Sequence, residues 1–163
     1  MKLTHTLTRW HYTKGLHLRS LLSEGRIRLA PGYGPWERAA VWTSVRQTWE
    51  PTIAPTVVLM QDGREIERRW IRTIDEAAEI VQGLVRIAVP KDLVPYSWSQ
   101  FRTMSGIKSQ HAEALEITAR RQGADARDWF VGFVPIPKDA WLRIEGWNPT
   151  TREWQQVQQE AGV

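Results

Sequence analysis

A chain of 163 residues, 42% of them hydrophobic and 25% charged, is long enough for one domain with a real core and is not composed like an unfolded chain. The absence of cysteine excludes disulfides, thiolate nucleophiles and thiolate zinc sites, and no run of about 18 apolar residues is present to span a bilayer as a helix. A formal net charge of +4 suits an acidic partner, nucleic acid or protein, and equally suits a plain basic surface.

In chain order, Met1 to His5 lacks the apolar core of a signal peptide, so a cytoplasmic protein with no membrane partner is expected. Trp10-His11-Tyr12-Thr13 predicts a strand with His11 and Thr13 on one face and Trp10 and Tyr12 on the other. If the aromatic face is the covered one, an imidazole and a hydroxyl aim into the cleft beside the sheet. Leu18, Leu21 and Leu22 share one face of a helix from Leu16 to Glu24, and Gly25 supplies a left-handed stop. A strand follows at Arg26 to Leu29, then a Gly/Pro-rich loop from Pro31 to Pro35. Ala39 to Val45 predicts the next strand, with Trp42 and Ser44 on one face. The polar, aromatic stretch Arg46 to Thr52 is a loop of the kind that carries sites.

Thr56 to Met60 is a short β run ending in a Gln61-Asp62-Gly63 turn, and the pattern of Arg64 to Arg72 fits strand and helix equally. Thr73 and Glu76 form a capping-box signature for a helix reaching Gly83, and Leu84 to Val89 is a strand closed by Pro90. Helical spacing predicts one short helix over Trp98 to Ser105 and a second from Ser109 to Gln122, stopped by Gly123. The last third returns to β: Asp128 to Val134, a bend at Pro135-Ile136-Pro137, Trp141 to Trp147, and a short pairing at Glu153 to Val157. With no repeat and no composition break, one α+β domain over residues 1–158 with a short polar tail, 159–163, is expected.

His5, His11 and His17 recur every six residues, a spacing that fits neither a helical i, i+4 pair nor strand alternation, and His111 stands alone, so no metal is expected. Ten tryptophans are too many for one pocket, so most belong to the core.

A strand bearing His-Tyr-Thr, a Leu-x-x-Leu-Leu-x-x-Gly helix, a Val-Trp-Thr-Ser strand, a helical insert and paired late strands together resemble the ADP-ribosyltransferase fold. The likeness is to its His-containing branch, which includes diphtheria-type toxins, poly-ADP-ribose polymerases, DNA-modifying toxins and tRNA 2′-phosphotransferases. It covers mainly residues 9–50 and 128–145, and it implies split antiparallel or mixed sheets with flanking helices.

By this resemblance NAD is the substrate, bound by His11, Tyr12, Thr13, Trp42, Ser44 and Trp49, with Arg46 and Arg102 among the arginines that would hold pyrophosphate. Arg9 and Arg19 are further candidates for that clamp. An imidazole suits a ribose because one ring nitrogen donates while the other accepts, and a tryptophan face favours a cationic nicotinamide. The family's late-strand glutamate is replaced here by Asp128, one methylene shorter; Glu50 and Glu145 are the other acids that could stabilise the cationic ribose. The implied activity is ADP-ribose transfer to a protein or nucleic-acid acceptor, in a microbial toxin or a phage or host-conflict effector. Two other readings stand beside it: a non-catalytic module binding a nucleotide, ADP-ribose or a protein on the same fold, and an RNA 2′-phosphotransferase.

Overall fold

The structure is a computed structural model that describes residues 7–54 and 56–157. The strands, in chain order, are β1 (Arg9–Lys14), β2 (Arg26–Ile27), β3 (Val41–Ser44), β4 (Val57–Gln61), β5 (Arg64–Arg69), β6 (Leu84–Val89), β7 (Tyr96–Ser97), β8 (Trp129–Gly132), β9 (Ile136–Pro137), β10 (Arg143–Asn148) and β11 (Glu153–Gln156). The helices are α1 (Gly15–Glu24), α2 (Ile74–Ile80), α3 (Trp98–Met104) and α4 (Ser109–Arg121). Together they form the single α+β domain that the sequence predicts.

Seven strands make the main sheet in the order β11-β10-β6-β1-β3-β8-β7, every pairing antiparallel. β1 pairs with β6 along its whole length, from Arg9 opposite Val89 to Lys14 opposite Leu84, but meets β3 at a single pair, Trp10 opposite Ser44. The sheet is therefore almost split between β1 and β3.

Residues opposite one another across a ladder share a face. On one face lie Trp10 and Tyr12 of β1, Trp42 and Ser44 of β3, Arg86 and Ala88 of β6, and Trp129 and Val131 of β8. Trp42, Trp129 and Val131 of this face pack with Trp98 and Phe101 of α3 and Ala112 and Ala119 of α4, whereas Trp10 and Tyr12 cluster with Ala88. On the other face Val85, Ile87, Val89, Val41 and Ile144 are covered by the leucine stripe of α1 and by the small β2–β9 ribbon through Ile27 and Ile136. Both faces of β6 are buried, which is why its sequence is almost continuously apolar.

Gly25 stops α1 at φ 69, donating its N–H to Leu21 O. Gly132 answers a different need: a Cβ there would sit 2.0 Å from the Leu93 carbonyl oxygen, so only glycine lets these backbones meet.

Several boundaries differ from the sequence-based expectation. Residues 64–69 form β5, exposed at every position and paired with β4 across Asp62 and Gly63, both at positive φ; with neither face buried, no periodicity marks the strand. α2 ends at Ile80 because the chain turns through Gln82 and Gly83, both at positive φ. Thr73 accepts from the Glu76 amide, yet Glu76 pairs with Arg69 at 2.5 Å rather than closing the capping box. The complete box is at α3, where Ser97 and Gln100 cap each other. The late strand starts at Trp129, one residue after Asp128, and stops at Gly132; Ile136–Pro137, expected only as a bend, pairs with β2. Residues 158–163 and the N-terminal Met1–His5 lie outside the described residues.

Candidate functional site

A cavity of about 410 Å³ opens on the aromatic face, between β1, β3, β8, the C-terminal half of α4 and the loop after β3. Trp10, Tyr12, Trp42 and Trp129 form its aromatic wall, and Leu115 and Ala119 of α4 its apolar side. Trp42 is held by its neighbours, with ring centroids 4.6 Å from Phe101 and 6.0 Å from Trp129. Polar groups reach the cavity from Ser44, Thr52, Thr118, Gln122 and Glu50.

Glu50 is placed by the 3-10 turn Pro51–Ile53, which it caps. Its Oε1 accepts from the Thr52 hydroxyl at 2.7 Å and from the Thr52 amide at 3.5 Å, whereas Oε2 is buried with no partner among the described residues. The whole residue is only 6% exposed. A buried carboxylate oxygen without a donor is costly and rare in folded proteins, and the residue that carries this one lines the cavity.

Tyr12 donates its hydroxyl to the Arg46 carbonyl at 2.5 Å. Burial pushes its phenol up to about 12, with Glu50 acting in the same direction and Arg86 against it. Tyr12 is thus a neutral donor across the physiological range, not a base. Behind this wall, Arg86 pairs with Glu145 at 2.7 Å, donates to Gln47 O at 2.5 Å, and lies over the rings of Trp10 and Trp154 at 3.8 and 4.4 Å. Glu145 also takes Arg143. Arg86 and Glu145 are therefore fully engaged with the protein itself.

His11 sits on the opposite side of β1, half-buried in the split, with Nδ1 2.9 Å from the Trp42 carbonyl. That oxygen can only accept, so Nδ1 carries the proton and Nε2 is left as an acceptor with no partner among the described residues. Burial lowers the His11 pKa and the bond to Trp42 opposes it, so the ring is neutral at pH 7. The unfolded chain binds a proton near pH 6.5, the folded one only below that, so stability falls as pH drops through this window and levels off beneath it. Thermal melts from pH 7 to pH 5 are expected to show this loss, and His11→Asn, which keeps a donor for Trp42 O, is expected to show less of it. An equal slope in both proteins would refute the assignment.

The cavity brings together Tyr12, Trp42, Ser44 and Glu50 of the predicted site residues. Trp49 packs just outside it, against the cluster of Trp10, Tyr12 and Ala88. Arg46 lies at its rim, donating to Gly123 O at the end of α4. Thr13 is buried on the His11 side, opposite Val85. Three residues stand elsewhere. Arg102 pairs with Glu116 at 2.9 Å, Glu145 is locked to Arg86, and Asp128 ends a 3-10 turn outside the cavity wall, its carbonyl accepting from Val45 N. Arg9, a further candidate, lies over the Phe130 ring at 3.8 Å and donates to Val94 O. Trp10, Trp129, Thr52 and Gln122 join the wall beyond the residues the sequence points to; strand alternation puts Trp10 on the face of Tyr12, but nothing in the sequence brings α4 over them.

A larger hollow of about 650 Å³ at the far edge, beside Lys138, Trp141 and Val157, borders the undescribed residues and has no unpartnered buried polar atom among its described lining residues, unlike the aromatic cavity. Among the described residues no cluster of three His, Asp or Glu could hold a metal, and no helix is long and apolar enough to cross a membrane. No protein-family model, no curated protein and no solved structure matches the chain.

Proposed function

We propose that the chain binds NAD in the aromatic cavity and transfers ADP-ribose to a macromolecular acceptor, a nucleic acid or a protein. The observation that carries this reading is one cavity beside a split sheet, where Tyr12, Trp42, Ser44 and Glu50 converge and His11 bridges the split. The tryptophan faces suit nicotinamide and Arg46 at the rim suits a phosphate, while His11, on the opposite face of β1 and outside the cavity wall, ties β1 to β3 through Trp42 O.

Among the three candidate acids, Glu50 is the one that lines the cavity, and its Oε2 is buried with no partner among the described residues. In the transfer step the bond between C1′ of the ribose and the nicotinamide nitrogen breaks, and its electron pair leaves with neutral nicotinamide. The positive charge left on C1′ and the ring oxygen is stabilised by the Glu50 carboxylate. A lone pair of the acceptor then closes on C1′, and the acceptor's proton passes to Glu50 and on to water.

The test is to incubate the full chain with NAD and follow nicotinamide release, adding nucleic acid or protein as acceptor and tracing ADP-ribose into each. Release that grows with one acceptor class is the expected result. Absence of release, together with no change in melting temperature on adding NAD or ADP-ribose, would sink the proposal.

A further inference from the structure

We infer that the aromatic cavity is a site for an organic monocation whose charge is met by Glu50. The inference concerns the same cavity as the proposed transfer but rests on the charge of its wall, not on cleavage of any bond. The carboxylate is nine-tenths buried; Thr52 occupies Oε1 and nothing among the described residues answers Oε2.

The cations nearby do not neutralise it through contact. Arg86 is committed to Glu145, to Gln47 O and to two indole rings, and the Arg46 guanidinium is turned to Gly123 O. An uncompensated buried carboxylate is unfavourable in the empty site and becomes favourable when a cation enters.

The remaining wall decides which cation. A hard metal ion wants six or more oxygen ligands, and Glu50 is the one carboxylate among the described residues of the wall. Three tryptophans and Tyr12 surround the space instead, and aromatic faces attract weakly hydrated organic cations, such as pyridinium or quaternary ammonium groups. Trp10 already receives Arg86 on its ring, so Trp42 and Trp129 are the tryptophans of the wall with no cation over them among the described residues.

The experiment compares 1-methylnicotinamide, a cation, with neutral nicotinamide of nearly the same shape, by calorimetry and tryptophan fluorescence on the full chain, with tetramethylammonium as a third probe. Both cations are expected to bind, and 1-methylnicotinamide to exceed nicotinamide by about tenfold or more. In Glu50→Gln that preference is expected to shrink to about twofold. Equal binding of the charged and neutral rings in the unaltered protein, or no binding of either, overturns the inference without any variant having to fold. A preference that survives in Glu50→Gln overturns the role of Glu50. Cation preference without nicotinamide release from NAD would defeat the transfer reading alone and leave this one standing.

Discussion

Replacing Glu50 with glutamine is expected to lower nicotinamide release by about 10²- to 10³-fold while leaving the melting temperature unchanged or raised. The two effects separate because the residue is placed for charge rather than for packing. Glutamine keeps the volume, and its Oε1 keeps the Thr52 hydroxyl that holds the side chain against the Pro51–Ile53 turn. What disappears is a buried negative charge with one oxygen unanswered among the described residues, which costs the fold stability and, on the proposed reading, supplies the site's chemistry. Asp128→Asn is the companion measurement. Its side chain is not on the cavity wall, so release is expected to change by less than about threefold, the range of a surface substitution away from a site. A large loss of release in Asp128→Asn beside full activity in Glu50→Gln would reverse the assignment of the acid. A fall of several degrees in the Glu50→Gln melting temperature would make the residue structural.

The parts of this fold that were legible in the sequence are those where local pattern and tertiary burial agree. α1 is one: Leu18, Leu21 and Leu22 recur at helical spacing, all three pack on the sheet face that carries Val85, Ile87 and Val89, and Gly25 takes the left-handed stop that its position suggests. The alternation of β1 was equally plain, and Trp10 and Tyr12 do share a face. What the alternation could not say is which face meets the cavity. That depends on α4, whose Leu115 and Ala119, with Gln122 at its C-cap, arrive from about a hundred residues downstream. β5 was undecidable for another reason, since a strand exposed on both faces has no burial to write a period of two into its sequence. At the site, the loop after β3 was visible as polar and aromatic, but the buried state of Glu50 was not, because a Glu-Pro-Thr sequence looks like an ordinary surface turn until a helix covers it.

The second large effect is expected from Arg86→Met, which should destabilise the protein by about 3–5 kcal/mol, the range for breaking a buried ion pair from one side. Arg86 is 8% exposed and Glu145 2%, so removing the guanidinium leaves a carboxylate deep in the sheet. Arg143 remains beside Glu145, but its side chain is 59% exposed and reaches in from the edge; it should hold the loss toward the lower end of that range. The variant also loses the cation packed between Trp10 and Trp154 and the donor to Gln47 O. Methionine preserves much of the stem volume, so the measured loss reports charge and hydrogen bonding more than a cavity. The decisive comparison is the double variant Arg86→Met, Glu145→Leu. With both charges gone, Arg143 returns to solvent and β6 and β10 meet through apolar side chains, so urea titration is expected to recover at least half of the stability lost by Arg86→Met. Losses that simply add would mean the pair is not coupled. Because Trp10 is both a wall of the cavity and a platform for Arg86, the double variant also asks whether the aromatic wall needs the buried charge behind it. If ligand binding returns with stability, Arg86 supports the fold alone; if stability returns and binding does not, the ion pair is what holds Trp10 in its binding position.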